Sequence, residues 1–192
     1  MNEIALTFED TDRLGTVAAV DTLKVLIKVE DPILMIRVGV GKLVAIHGAT
    51  EQDYLIGIVD RITRTLGEEM KGDELGETDE VVLTPTAEDA LRAVLVGTYK
   101  TVFGDKRNYF KRGADYFPQI DRDCFIVEGV NLQRFMGILG AELPKNERLD
   151  LGHFAMDPSA SAVASGDKFF QRHASILGST GSGKSWCVAL ML

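Results

Sequence analysis

Gly178-Ser179-Thr180-Gly181-Ser182-Gly183-Lys184-Ser185 follows the apolar stretch Ala174-Ser175-Ile176-Leu177 and runs into Trp186-Cys187-Val188-Ala189-Leu190-Met191-Leu192. The first stretch reads as a short buried strand, the octapeptide as a glycine loop, and the last as the opening of a helix. Strand, glycine loop and helix is the setting in which G-x-x-x-x-G-K-S wraps a polyphosphate. Gly178, Gly181 and Gly183 permit backbone conformations that a Cβ resists, so main-chain N–H groups can converge on an anion. The positive end of the following helix dipole points the same way.

Each remaining residue of the octapeptide has a separate task. The Lys184 ammonium is expected between the β- and γ-phosphates, neutralising charge that grows as the terminal phosphoryl group leaves, and the Ser185 hydroxyl is expected on Mg2+. The reading therefore assigns all eight residues, Gly178 to Ser185, to nucleotide binding, with Lys184 and Ser185 catalytic and Ser185 the metal contact. ATP and Mg2+ are the expected ligands. Such a site also needs a carboxylate at the end of a later strand, a group that orients the attacking water, and an arginine from a neighbour. None can follow within this sequence, so the chain is expected to be the front part of a longer subunit, with hydrolysis belonging to the whole.

Upstream of the loop, Asp157 to Gly166 is rich in small residues and reads as a linker or an exposed hairpin. Leu132 to Leu143 places Phe135, Met136, Ile138 and Leu139 at near-helical spacing ahead of Pro144. Further back the pattern changes to short β-rich runs. Gly15–Val20 and Lys24–Glu30 read as a hairpin, Leu43–His47 and Tyr54–Thr65 as further strands, and Val81–Thr84, Leu91–Val102 and Cys124–Val127 as the rest. Six or so short strands without a convincing amphipathic helix imply a small closed barrel or sandwich. Residues 1–140 are expected to form an all-β barrel serving assembly or docking, and 141–192 a linker with the first strand, loop and helix of an α/β nucleotide-binding domain.

The chain has 192 residues, 45% hydrophobic and 26% charged, the balance of a globular protein. Its net charge of −8 argues against a surface that grips nucleic acid everywhere. Much of the acidity lies between Leu66 and Glu80, where Glu68, Glu69, Asp73, Glu74, Glu77, Asp79 and Glu80 face Lys71 alone, which reads as a solvated loop. Cys124 and Cys187 stand apart from any C-x-x-C pair, so neither a disulfide framework nor a zinc site is indicated. An acidic N-terminus and the lack of any apolar run of about 20 residues point to a cytoplasmic protein.

Three stretches together resemble the HerA-type hexameric DNA translocases, relatives of the FtsK-like motors. Leu14-Gly-Thr-Val17 to Val29, Ile36–Gly39, Leu43–Ile46 and Gly57–Val59 look like that family's barrel strands. Phe110–Gly113 with Tyr116 and Pro118 looks like its late-barrel signature, and Phe170-Gln171-Arg172-His173 leading into Ser185 like its approach to the phosphate loop. The acidic insert at 66–80 departs from the pattern. The resemblance implies an ATP-synthase-like barrel before a RecA-like P-loop ATPase core and a homohexamer moving on double-stranded DNA through its channel. It also implies a partner nuclease, or in some anti-phage defence operons a sirtuin-like NAD-consuming protein, on the barrel side. Two other functions share the order of barrel and loop: a ring scaffold or docking module stabilised by nucleotide, and a rotary or export-type ATPase subunit.

Lys100, Lys106, Arg107, Lys111 and Arg112 alternate with Phe103, Tyr109, Phe110, Tyr116 and Phe117. That mixture suits either stacking on single strands or a protein interface, and the acidic surroundings favour the interface. His173 and Arg172, just before the loop, read as a backbone-bonded histidine and a surface ion pair. His47 and His153 lack partners at ligand spacing and receive no metal role.

Overall fold

The computed structural model describes residues 5–50, 53–71, 82–102, 108–141, 143–155, 157–171 and 175–191, without the side chains of 66–71, 82–88 and 141. It divides into two compact units, one made from the described residues of 8–106 and 110–127, the other from those of 1–7, 107–109 and 128–192.

The first unit is a closed six-stranded antiparallel barrel. Its strands are β1 (Arg13–Asp21), β2 (Lys24–Val29), β3 (Leu43–His47), β4 (Asp53–Lys71), β5 (Val82–Lys100) and, after the short β6 (Tyr109–Arg112), β7 (Asp123–Val127). The sheet runs β2-β1-β7-β3-β4-β5, and pairing of β2 with β5 joins its ends. β6 lies beyond β5 at the edge of this ring. Closure removes the open edges that would otherwise invite pairing with other chains.

The alternation of β2 shows why the chain takes this form. Val25, Ile27 and Val29 are buried while Lys24, Leu26 and Lys28 are exposed, a period of two that suits one packed and one solvated face. β1 turns back into β2 through Thr22 and Leu23, with Asp21 opposite Lys24. Register shifts between Val17 and Ala19, and between Val59 and Arg61, bend the sheet enough to close it. Inside, Leu14, Ile27, Ile46, Leu55, Leu91 and Ile126 share one apolar core.

Several local expectations change. The runs 81–84 and 91–102 are not separate strands, because the described residues from Val82 to Lys100 form one continuous strand that passes through Pro85. A ladder from Lys71↔Val82 to Asp53↔Lys100 holds that length, and Pro85, opposite Glu68, is carried along by it. The backbone of 66–71 belongs to β4 and is not loop, while 72–80 lie outside the described residues. Ile36–Gly39 is not a barrel strand. A 3-10 turn spans Pro32–Ile36, with proline at its start and the Asp31 carboxylate accepting the Ile33 N–H at 2.8 Å.

The second unit contains α1 (Gly129–Ala141), an antiparallel hairpin of β8 (Arg148–Phe154) and β9 (Asp157–Ser165), α2 (Gly166–Phe170) and α3 (Lys184–Met191). The stretch expected as linker or hairpin is thus the second strand of a hairpin. Leu132, Phe135 and Ile138 form the buried stripe of α1. Asn131 holds the backbone of Thr7, accepting its N–H at 3.2 Å and donating to its carbonyl at 2.8 Å. No helix among the described residues is long and apolar enough to cross a membrane.

Candidate functional site

The glycine loop opens without the strand expected before it. Residues 175–177 take no regular structure, Ala174 lies outside the described residues, and Leu177 is 90% exposed. A strand exists only through hydrogen bonds to a neighbour, and among the described residues none lies alongside this stretch.

From Gly178 onward the backbone closes on itself. The Ser182 N–H donates to the Ser179 carbonyl at 3.2 Å, forming a turn through Thr180 and Gly181. A Cβ on Gly178 would lie 2.5 Å from Ser182 Oγ, so any other residue there would have to turn the Ser182 hydroxyl aside where the loop's two sides approach. Gly181 and Gly183 have φ of +83° and +81° with open space where a Cβ would go, so conformation, not room, selects glycine at both.

Helix α3 then begins at Lys184, and its first backbone bond is Cys187 N–H to the Gly183 carbonyl at 2.9 Å. The N–H groups of Lys184, Ser185 and Trp186 have no intrahelical acceptor, as at any helix start. Lys184, half-buried, turns back so that Nζ donates to the Ser179 carbonyl at 2.5 Å. Ser185 is exposed one residue on. First-turn N–H groups, an ammonium and a hydroxyl therefore collect at one turn, and residues 175–191 contain no acidic side chain. In a chain of net charge −8 this donor set sits on a stretch with no acidic residue of its own. It fits a polyphosphate and leaves a hydroxyl for a hard cation.

Other candidates are scattered. Arg172 and His173 lie outside the described residues, as do Phe103, Lys106 and Arg107. Lys111 is held by Asp115 at 2.6 Å, Phe110 covers Gly97 where a Cβ would meet its ring at 2.4 Å, and Tyr116 packs on the barrel core. Of that basic and aromatic segment, Lys111, Arg112 and Phe117 are exposed on the barrel unit. His47 packs its ring on Tyr54 and Phe125, with centroids 4.9 and 5.3 Å away. Burial pushes the Cys124 thiol well above its ordinary value.

Two features escaped the sequence reading. A groove of about 470 Å³ between α1 and the hairpin is lined by Gln133, Met136, Gly137, Arg148 and Asp150, with Ser159 and Ser161 of β9. The Asp157 carboxylate holds the start of α1, accepting the Gly129 N–H at 2.7 Å. The alternation of serines along 157–165 hinted at a strand, but which helix it faces is a tertiary matter.

Residues 149–192, from the second residue of β8 through β9, α2, the glycine loop and α3, match the protein family described as Helicase HerA, central domain. No curated protein matches the chain.

Proposed function

We propose that this chain is the front part of a HerA-type P-loop ATPase, in which a β-barrel precedes a loop that binds Mg·ATP. Hydrolysis in the complete catalytic site then drives movement on double-stranded DNA. The observation that carries the reading is the coincidence of the family match at 149–192 with the Lys184 ammonium drawn over the glycine turn onto the Ser179 carbonyl.

The chain's own groups divide the work as follows. Main-chain N–H groups of the turn and of the first residues of α3 hold phosphate oxygens, aided by the helix dipole. Lys184 exchanges its bond to Ser179 for one to phosphate, and its charge offsets the negative charge that builds on the terminal group. Ser185 offers its hydroxyl to Mg2+, which when bound polarises the phosphates and draws charge from the leaving oxygen. Assembly as a homohexamer round DNA belongs to the same proposal and rests on the resemblance alone. So do docking of a nuclease or NAD-consuming partner at the barrel and a role in anti-phage defence.

Trp186, the only tryptophan, is exposed two residues after Lys184 and is a natural reporter. Mg·ATP should change its emission in the parent and not in Lys184→Ala, and the same variant should lose at least about tenfold of DNA-stimulated ATP turnover in the complete subunit. Absence of Mg·ATP binding by the parent, measured by equilibrium dialysis alongside an unchanged emission, overturns the reading.

A further inference from the structure

The glycine loop and the start of α3 provide for the phosphates of a nucleotide, and a side chain beside them is placed for its base. Trp186 lies 71% exposed in the first turn of α3, directly after Ser185. It makes no ring contact among the described residues, whereas Phe169 and Phe170 of the same unit pack on each other with centroids 5.4 Å apart. A tryptophan has roughly 150–250 Å² to bury, so a ring left in solvent next to a ligand cradle is a large contact surface.

Its placement follows from the helix. Side chains of an α-helix lean toward the N-terminus and cover the turn before their own Cα. The indole therefore leans toward the end of α3 where the loop gathers its donors. Successive residues turn by about 100° round the axis, which carries Trp186 about 200° from Lys184, to the other side of that end. Lys184 reaches over the turn to the Ser179 carbonyl at 2.5 Å and so marks the side on which the terminal phosphates are held. A nucleotide runs from its base through ribose to the last phosphate. With the far end on Lys184, the base falls on the opposite side of the helix start. The Trp186 N–H, which has no intrahelical acceptor, is then the donor nearest the phosphate attached to ribose, and its own ring is next in line.

Residues 175–191 contain no carboxylate to read the polar edge of a base, so the contact this stretch offers is to the face. We propose that Trp186 stacks on the base of the bound nucleotide and is the residue through which this loop tells a nucleoside triphosphate from a bare polyphosphate. Every base has a face to stack, and the larger purine rings cover more of the indole, so the residue favours purines as a class without choosing adenine over guanine. The inference rests on nucleotide binding at the glycine loop and adds the base contact to it.

Calorimetric titration of the chain with Mg·ATP and with magnesium tripolyphosphate, which lacks ribose and base, tests it. Trp186→Ala should weaken Mg·ATP binding at least about fivefold and leave tripolyphosphate binding unchanged, and Trp186→Phe should recover most of the loss. In the parent, Mg·ATP should quench the Trp186 emission at least about twice as strongly as tripolyphosphate does. Unchanged Mg·ATP affinity in Trp186→Ala overturns the inference. An equal loss for both ligands also overturns it, because the indole then supports the loop without touching the base. Either result leaves phosphate binding by the loop standing. A parent that binds neither ligand overturns nucleotide binding at the loop and the base contact with it. If Trp186→Ala fails to fold by circular dichroism, the parent's emission decides, and equal quenching by the two ligands overturns the inference.

Discussion

The Asp157 carboxylate closes the start of helix α1 from 28 residues away in sequence, its Oδ2 accepting the Gly129 N–H at 2.7 Å. Its other oxygen accepts the Ser159 N–H at 3.1 Å and the Ser159 hydroxyl at 2.5 Å, so one side chain ties α1 to β9. A negative charge at a helix start also meets the positive end of the dipole. Asp157→Ala should lower the stability of this unit by about 1–2 kcal/mol, and Asp157→Asn, which keeps an acceptor without the charge, by about half as much. Urea unfolding followed by far-UV circular dichroism measures both.

Gly48 marks a second close approach, this time inside the barrel unit. A Cβ there would lie 2.0 Å from the Tyr116 hydroxyl and 2.7 Å from the Asp53 carbonyl, and Tyr116 packs on the core. Gly48→Ala should therefore cost about 1–3 kcal/mol through overpacking. Adding Tyr116→Phe removes the closest of the clashes and should recover part of the loss. The resulting non-additivity, about 0.5 kcal/mol or more in a double-mutant cycle, separates this contact from general destabilisation.

The legibility of the chain followed the range of the forces involved. Leu43–His47 and the β1–β2 hairpin could be read from alternation and turn residues, since both signals are local. The closed barrel was accessible because many short strands without helices leave few other ways to bury one face. The length of β4 and β5 was hidden. Pro85 and the acidic run signal an interruption locally, and only the ladder between the strands overrides them. The strand expected at Ile36–Gly39 rested on the resemblance alone, and the 3-10 turn over Pro32–Ile36 that runs into it carries its own local signal in Asp31-Pro32. At the glycine loop the motif itself announces Gly181 and Gly183, whereas the exposure of Leu177 depends on what lies beside it in space.

Asp89 gives the barrel an acid-sensitive joint. Its side chain is 1% exposed and receives Arg64 through two bonds, Nε at 2.7 Å and Nη2 at 2.8 Å, between register partners on β5 and β4. The Arg64 bonds hold the Asp89 carboxyl below its ordinary value against the opposing effect of burial. A carboxyl with a lowered folded value contributes stability that is whole above the unfolded value near ~4 and is lost as pH falls through the folded one. Acid unfolding of the parent should thus begin below about pH 4. Arg64→Met leaves Asp89 buried without its partner, so the acid-unfolding midpoint should move to higher pH. An unchanged midpoint in a pH titration followed by near-UV circular dichroism counts against this pairing as the acid-sensitive element.

The two thiols should separate cleanly by reactivity. Cys124 is fully buried on β7, where loss of water, with Asp123 adding a smaller repulsion, pushes its ionisation well up and keeps the nucleophilic thiolate scarce. Cys187 is half-buried on α3, one turn after the glycine loop. Ellman's reagent on the native chain should release one equivalent of thiolate promptly, and a second only after addition of denaturant. Cys187→Ser should abolish the fast phase and leave the slow one. Two fast equivalents in the native protein would mean that the barrel opens readily at β7, since Cys124 is buried in the core with Ile46 and Ile126 while the sheet stays closed.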